Sequence, residues 1–209
     1  MPASGTLRGV SEADFALLER WRDGDREAGE TLVERHFAAI HRFFANKTSR
    51  DPDDLAQSTF LRCVERRDSF QGRSSFRTFL FGVARNVLHE HYREVYRADF
   101  EPSSQSVADV DPTPSQMVSE AQWQQLFFDT LRAIPSDMQT LLELYYWEGL
   151  STAELAEVFD TARGTIKSRL HSARDELRFR CRQQGLEVGA TGRAQVPGWA
   201  RDLDTLAGG

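Results

Sequence analysis

Seven basic side chains crowd one short stretch near the C-terminus. Arg163, Lys167, Arg169, Arg174, Arg178, Arg180 and Arg182 lie within residues 162–182, against only Asp175 and Glu176. Guanidinium and ammonium groups displace counterions from a phosphate backbone, so this is chemistry suited to nucleic acid. Ile166, Leu170, Ala173 and Leu177 recur at helical spacing and form a packed face. Arg163, Lys167, Ser168, His171 and Ser172 then share overlapping outer faces of the same helix. A solvated basic helix that merely covers a core is the plainer reading. Concentration of positive charge on one helix, in a chain of net charge −6, favours DNA. A second constellation spans residues 69–97, where Phe70, Phe76, Phe79, Tyr92 and Tyr96 interleave with Arg73, Arg77, Arg85, Arg93 and Arg97. Single-stranded nucleic acid needs both residue types, because bases stack on rings while cations follow the backbone. Helical spacing assigns Phe76, Phe79 and Phe70 to a core. The loop between the helices is therefore the better base pocket, since loops can wrap a flipped base.

Other chemistries find little support. The five histidines are His36, His41, His89, His91 and His171. They form no His-Glu-x-x-His pair, and His89 and His91 point to different helix faces. There is no phosphate-binding glycine loop and no Gly-x-Ser-x-Gly elbow. Catalysis is not expected, and neither is a cofactor. Cys63 and Cys181 lie far apart without paired spacing, which argues against a zinc site or a disulfide framework. Cys63 reads as a small buried side chain. No apolar run approaches bilayer length, and residues 1–10 lack a signal-peptide pattern, so a soluble cytoplasmic protein without membrane insertion is expected.

The elements that must position these residues are helices. Ser11 with Asp14 resembles a helix cap, followed by Phe15, Leu18 and Trp21 at helical spacing. Asp25 can cap a second helix with the stripe Leu32, Val33, Phe37, Ile40, Phe43 and Phe44. A third begins near Asp53 or Asp54, with Leu55, Thr59, Cys63 and Phe60 facing in. After the break at residues 70–74, a long helix carries Phe76, Phe79, Leu80, Val83, Ala84, Val87 and Leu88. No alternating strand pattern is found. The expected class is all-α, in two small helical domains: residues 1–97 and 121–184. Between them, residues 98–120 hold Pro102, Pro112 and Pro114 in an acidic, Ser-rich stretch without Lys or Arg, the pattern of a linker. Extended, it spans on the order of 70–80 Å, about two turns of B-DNA at ~35 Å each. In the second domain Pro135 sits near a helix start, Gly149 ends that helix, and Ser151 with Glu154 forms a capping box for the next. Asp160 and Thr161 then turn the chain into the basic helix, which completes a helix-turn-helix pattern. In that motif the second helix enters the major groove. Residues 185–209, Gly-rich and aperiodic, read as a disordered tail, with Trp199 as the one residue that suggests a contact.

These stretches resemble the extracytoplasmic-function group of bacterial sigma factors. The run Asp53-Asp54-Leu55-Ala56-Gln57-Ser58-Thr59-Phe60-Leu61-Arg62 is similar to the polymerase-binding segment of sigma region 2. Ser74-Ser75-Phe76-Arg77-Thr78-Phe79-Leu80-Phe81 with Ala84-Arg85-Asn86 resembles its promoter-melting segment. Residues 148–156 and 164–171 resemble region 4, and three such motifs in order are far more specific than one. The resemblance implies an alternative sigma factor that binds core RNA polymerase and promoter DNA, commonly held by an anti-sigma factor. It implies that Asp53, Asp54, Gln57 and Phe60 meet the polymerase clamp. Phe70, Gln71, Gly72, Arg73, Ser74, Ser75 and Asn86 would hold the unpaired −10 element. Lys167, Ser168, His171 and Ser172 would read the −35 element, with Arg163, Arg169 and Arg174 on phosphates. The acidic linker would pass through the polymerase and mimic nucleic-acid charge. Four positions depart from the family pattern: Ser58 where Glu is frequent, Phe79 where Trp is common, Asp160 where Gly is usual, and Ala162 where a capping Ser is frequent. A repressor or activator using only the C-terminal motif, and an adaptor that has lost promoter use, are the rival readings. The 53–62 segment separates them, since a repressor needs no polymerase contact.

Overall fold

A computed structural model of the chain describes residues 4–48, 51–67, 70, 72, 74–98 and 120–186. Among them the chain forms the helices α1 Ser4–Arg22, α2 Arg26–Ala45, α3 Pro52–Arg66, α4 Phe76–Ala98, α5 Glu120–Ala133, α6 Ser136–Tyr146, α7 Thr152–Val158 and α8 Arg163–Gln183, and no strand. The all-α class read from the sequence is the class observed. The helices fall into two compact units. One holds α1 to α4 together with Ala153–Thr161; the other holds α5, α6 and α8.

The first unit is organised by α2. Asp25 caps it as expected, accepting a hydrogen bond from the Ala28 N–H at 3.1 Å. Leu32, Ile40, Phe43 and Phe44 enter the core with Leu18 of α1, Ala56 and Cys63 of α3, and Leu80, Phe81, Ala84 and Leu88 of α4. Each such Leu or Phe contributes about 1.5–3 kcal/mol by leaving water. For α3 the cap is Asp51, which accepts from the Asp53 N–H at 2.9 Å, with Pro52 in the first turn. Proline fits there because that N–H would have no helical partner.

Two expectations fail in α1 and α2. Helix α1 already runs from Ser4, so Ser11 lies inside it and starts nothing. Asp14 is buried rather than capping, and it pairs with His36 Nε2 at 2.8 Å and with Arg35. Burial alone would raise its carboxyl, but the hydrogen bonds and charges of His36 and Arg35 outweigh that and hold it below the ordinary value. His36 is accordingly buried, while Phe37, expected on the apolar stripe, is exposed. The buried carboxylate selects the imidazole at the edge of the stripe. The two helices also approach closely at Gly29, where a Cβ would lie 2.6 Å from Trp21 Cδ1.

In the second unit Pro135 occupies the N-cap position of α6. Phe127, Leu131 and Ile134 join Leu141, Leu142 and Leu144 in packing beneath α8, whose inner face is Ile166, Leu170, Ala173, Leu177 and Cys181. Gln139 and Glu143, both buried, satisfy one another at 2.9 Å. Helix α8 ends at Gln183; Gly185, two residues on, turns left-handed at φ 70°, and the Leu186 N–H bonds to the Cys181 carbonyl at 2.8 Å. This is a left-handed helix stop, and the Leu186 and Cys181 side chains at its two ends are both buried. Gly185 and Leu186, expected in the tail, therefore belong to the folded unit. Residues 187–209 with Trp199, and residues 99–119 of the linker, lie outside the described residues.

Candidate nucleic-acid interface

Helix α7 begins directly after Ser151, and the chain leaves it through a left-handed residue, Asp160, with φ 46°. Aspartate tolerates that region better than most residues, so it stands in for the usual glycine. The Thr161 N–H bonds back to the Ala156 carbonyl at 2.9 Å. Helix α8 then starts behind Ala162, which supplies no side-chain cap, and Thr161 does not replace the missing serine. That omission costs about 1 kcal/mol. The first three turns of α8 present Arg163, Lys167, Ser168, Arg169, His171 and Ser172 to solvent. Arg163 Nε donates to Thr152 Oγ1 at 2.9 Å, and His171 Nε2 lies 3.2 Å from Asp175.

Arg174 is not part of that outer face. Its Nε donates to the Tyr146 hydroxyl at 2.7 Å, and its guanidinium stands 5.7 Å from the ring centres of both Tyr145 and Tyr146. The side chain fastens α8 to α6, where the sequence reading expected it among the phosphate contacts. The sequence could not show this, because the partner comes from another helix.

On α3, Asp53, Asp54 and Gln57 are exposed. Asp53 Oδ1 lies 3.4 Å from His41 Nε2. Phe60, expected on the same surface, is only 7% exposed, and its ring stacks 6.2 Å from that of Phe37. Leu61 and Val64, at 57% and 37% exposure, continue the line of Asp54 and Gln57 at helical spacing. Sequence reasoning missed both. The signal was available, for they fall three to four residues apart on the exposed stripe.

The segment before α4 joins a buried anchor to an open turn. Phe70 is buried, with its ring centre 4.9 Å from that of Phe79 and 6.4 Å from that of Phe76. Gly72 has φ 67°, which a side chain would strain. Ser75 Oγ accepts from the Thr78 N–H at 3.1 Å and caps α4. Gln71 and Arg73 lie outside the described residues. Asn86 is exposed on α4, about 15 Å along the helix axis from Phe76. It stands apart from the turn, on a stripe with the partly exposed Phe79, Gly82 and His89 and the exposed Arg93.

Burial pushes both Cys63 and Cys181 up to about 12, so neither supplies a thiolate at neutral pH. Among the described residues no cluster of His, Cys, Asp and Glu could hold a metal ion. No helix among them is long and apolar enough to cross a membrane.

Residues 32–98 match the family described as Sigma-70 region 2, and residues 124–177 match Sigma-70, region 4. The chain is 30% identical over 176 residues to an ECF RNA polymerase sigma-E factor of Haemophilus influenzae, covering 78% of this chain and 93% of that protein. The protein of the same name from Escherichia coli K12 is 28% identical over 78% of this chain and 92% of its own length. Among solved structures, the sigma factor RpoE in complex with the anti-sigma factor NepR from Bartonella quintana is 25% identical. It aligns with a TM-score of 0.59, covering 73% of this chain and 96% of that one. CnrH in complex with the cytosolic domain of CnrY shares the fold at 22% identity and the same TM-score, covering 79% and 94%.

Proposed function

The chain belongs to the extracytoplasmic-function sigma factors, and we propose that it acts as an alternative sigma factor. It binds core RNA polymerase and directs promoter-specific initiation by melting and holding the −10 element and reading the −35 element. It is a non-catalytic, cytoplasmic factor that works without a cofactor. One observation supports this reading most directly. The region 2 and region 4 matches coincide with two separate sets of exposed side chains, on α3 and on α8. A repressor would use the second set and has no use for the first.

On this reading Asp53, Asp54 and Gln57 face the polymerase clamp with Leu61 and Val64, and Phe60 supports them from beneath. The Phe70–Ser75 turn, with Gln71 and Arg73 assigned by sequence, holds an unpaired −10 base. Asn86 meets the strand farther along α4. Lys167, Ser168, His171 and Ser172 read −35 base edges, while Arg163 and Arg169 meet phosphates. The acidic 98–120 segment passes through the polymerase. An anti-sigma factor is the expected regulator, in line with the partner named for the Bartonella quintana relative.

The test is binding of the purified chain to bacterial core RNA polymerase, followed by run-off transcription from a genomic fragment library. Binding with promoter-selective transcripts is the expected result. No polymerase binding together with specific duplex affinity would make the protein a repressor or activator.

A further inference from the structure

The turn before α4 has a wall that the region 2 match does not include. That match begins at residue 32, whereas α1 ends at Arg22. Between α1 and the turn lies a cavity of about 390 Å³, within the range of roughly 300–1,000 Å³ usual for small-ligand sites. Glu12 and Phe15 line it from α1, and Phe70, Gly72, Ser74 and Phe76 line it from the other side. Phe15 is 47% exposed, so a large aromatic face is left in water next to the turn.

Contacts made by Asp14 and Arg22 hold this wall in place. Asp14, the neighbour of Phe15, is anchored to His36 and Arg35, which fixes the turn of α1 that carries the ring. Arg22 Nε donates to the Arg67 carbonyl at 3.0 Å, and its Nη2 donates to the carbonyl of Phe70. Helix α1 therefore also secures the backbone that leads into the turn. At Gly72 a Cβ would stand 3.0 Å from Phe15 Cε2, so the bare backbone passes against the ring edge. Phe76, on the opposite side of the cavity, is in turn packed 5.6 Å from the His36 ring.

We propose that Phe15 and Glu12 of α1 complete the site for one unpaired base of the −10 strand. The base stacks on Phe15, as bases do on exposed aromatic side chains that bind single strands. Glu12 accepts a hydrogen bond from the exocyclic amino group of that base. Adenine, cytosine and guanine carry such a group on the edge exposed when a base is unpaired. Thymine offers one ring N–H between two carbonyls, whose lone pairs face the carboxylate unfavourably. The site therefore selects against thymine. This inference rests on the −10 reading of the turn and adds two residues from a helix outside the matched region.

The test uses the full chain assembled with core polymerase and a randomised pool of single-stranded oligonucleotides. Strands retained by the native protein should show one position depleted of thymine. Phe15→Ala should weaken retention roughly 5- to 100-fold, the loss expected for one stacked base, and Phe15→Tyr should restore it. Glu12→Gln should abolish the thymine depletion, because the amide both donates and accepts. Glu12 is exposed, so that variant keeps the test independent of folding. Equal retention by Phe15→Ala, or thymine depletion that survives Glu12→Gln, overturns the proposal. A Gly72→Val control separates this failure from failure of the underlying reading. If Gly72→Val loses the strands and Phe15→Ala does not, the turn binds DNA without α1. If neither variant changes retention, the −10 assignment falls with it.

Discussion

At the scale of residues, what distinguishes a DNA contact from a structural cation is whether the side chain is already engaged within the fold. Helix α8 carries seven Lys and Arg, but Arg174 is held by Tyr146, Arg178 by Asp175, and Arg180 by Glu176 at 2.6 Å. Lys167 and Arg169 stand exposed on its outer face. Lys167→Ala should therefore flatten the salt dependence of duplex binding by about one charge, a change of ~0.9 in the slope of log K against log salt. Arg174→Ala should leave that slope unchanged and lower the melting temperature instead. Titrations of the two variants at several salt concentrations decide it, and a slope change in Arg174→Ala would return that residue to the interface. Asp14 is a second such engaged side chain. Its carboxyl is held below the ordinary value, so its contribution to stability is full above about pH 4 and is lost as pH falls through the lowered value. Asp14→Asn should cost about 2–3 kcal/mol at neutral pH, since a charged hydrogen-bonded group is removed while Arg35 can turn toward solvent. The gap between variant and native protein should close in acid. A gap independent of pH in denaturant melts would mean that the charge of Asp14 contributes nothing.

At the scale of elements, the close approach of α1 and α2 sets the position of everything α1 carries. Gly29→Ala would push a methyl group into the Trp21 indole, a rigid ring that cannot swing aside cheaply. Overpacking of this kind costs about 1–3 kcal/mol. Because α1 also holds the turn through Arg22, the same substitution should weaken single-strand retention more than duplex binding by α8. Equal loss on both substrates would show only a general destabilisation. Helix existence was legible from spacing, since Leu32, Ile40, Phe43 and Phe44 repeat as a buried stripe must. Details that depend on a partner helix were not. His36 and Phe37 sit together at the stripe edge, and only Asp14, from α1, decides which turns inward. Arg174 looks like any other cation of α8 until Tyr146 is placed beside it. Leu61 and Val64 were legible in spacing with Asp54 and Gln57 but passed over, because apolar residues at helical spacing are read as core by default.

At the scale of the whole molecule, charge and division into units favour a route to promoter DNA by way of polymerase. The chain has net charge −6 although α8 alone is strongly basic, so the remainder repels a duplex. With several α8 cations engaged internally, the free chain should bind −35 DNA weakly and with a shallow salt dependence. Binding to polymerase through the α3 surface, as proposed, would change the problem, because α8 would then be delivered to DNA as an intramolecular partner. The α3 and α8 surfaces lie in different units, separated in sequence by the acidic stretch, so damage to one should not reach the other directly. Asp54→Ala combined with Gln57→Ala should thus leave duplex affinity of the free chain unchanged while reducing promoter-dependent transcription. Raising the polymerase concentration should restore the transcript, since the defect is one of occupancy. Lys167→Ala with His171→Ala should behave in the reverse way, with normal polymerase affinity and a loss of −35 selectivity that added polymerase does not repair. Paired measurements of polymerase affinity and run-off yield on the two double variants test the separation. If Asp54→Ala with Gln57→Ala also weakens the free chain on duplex DNA, the two surfaces are coupled through the protein itself. Recruitment by tethering would then not account for how this factor reaches its promoter.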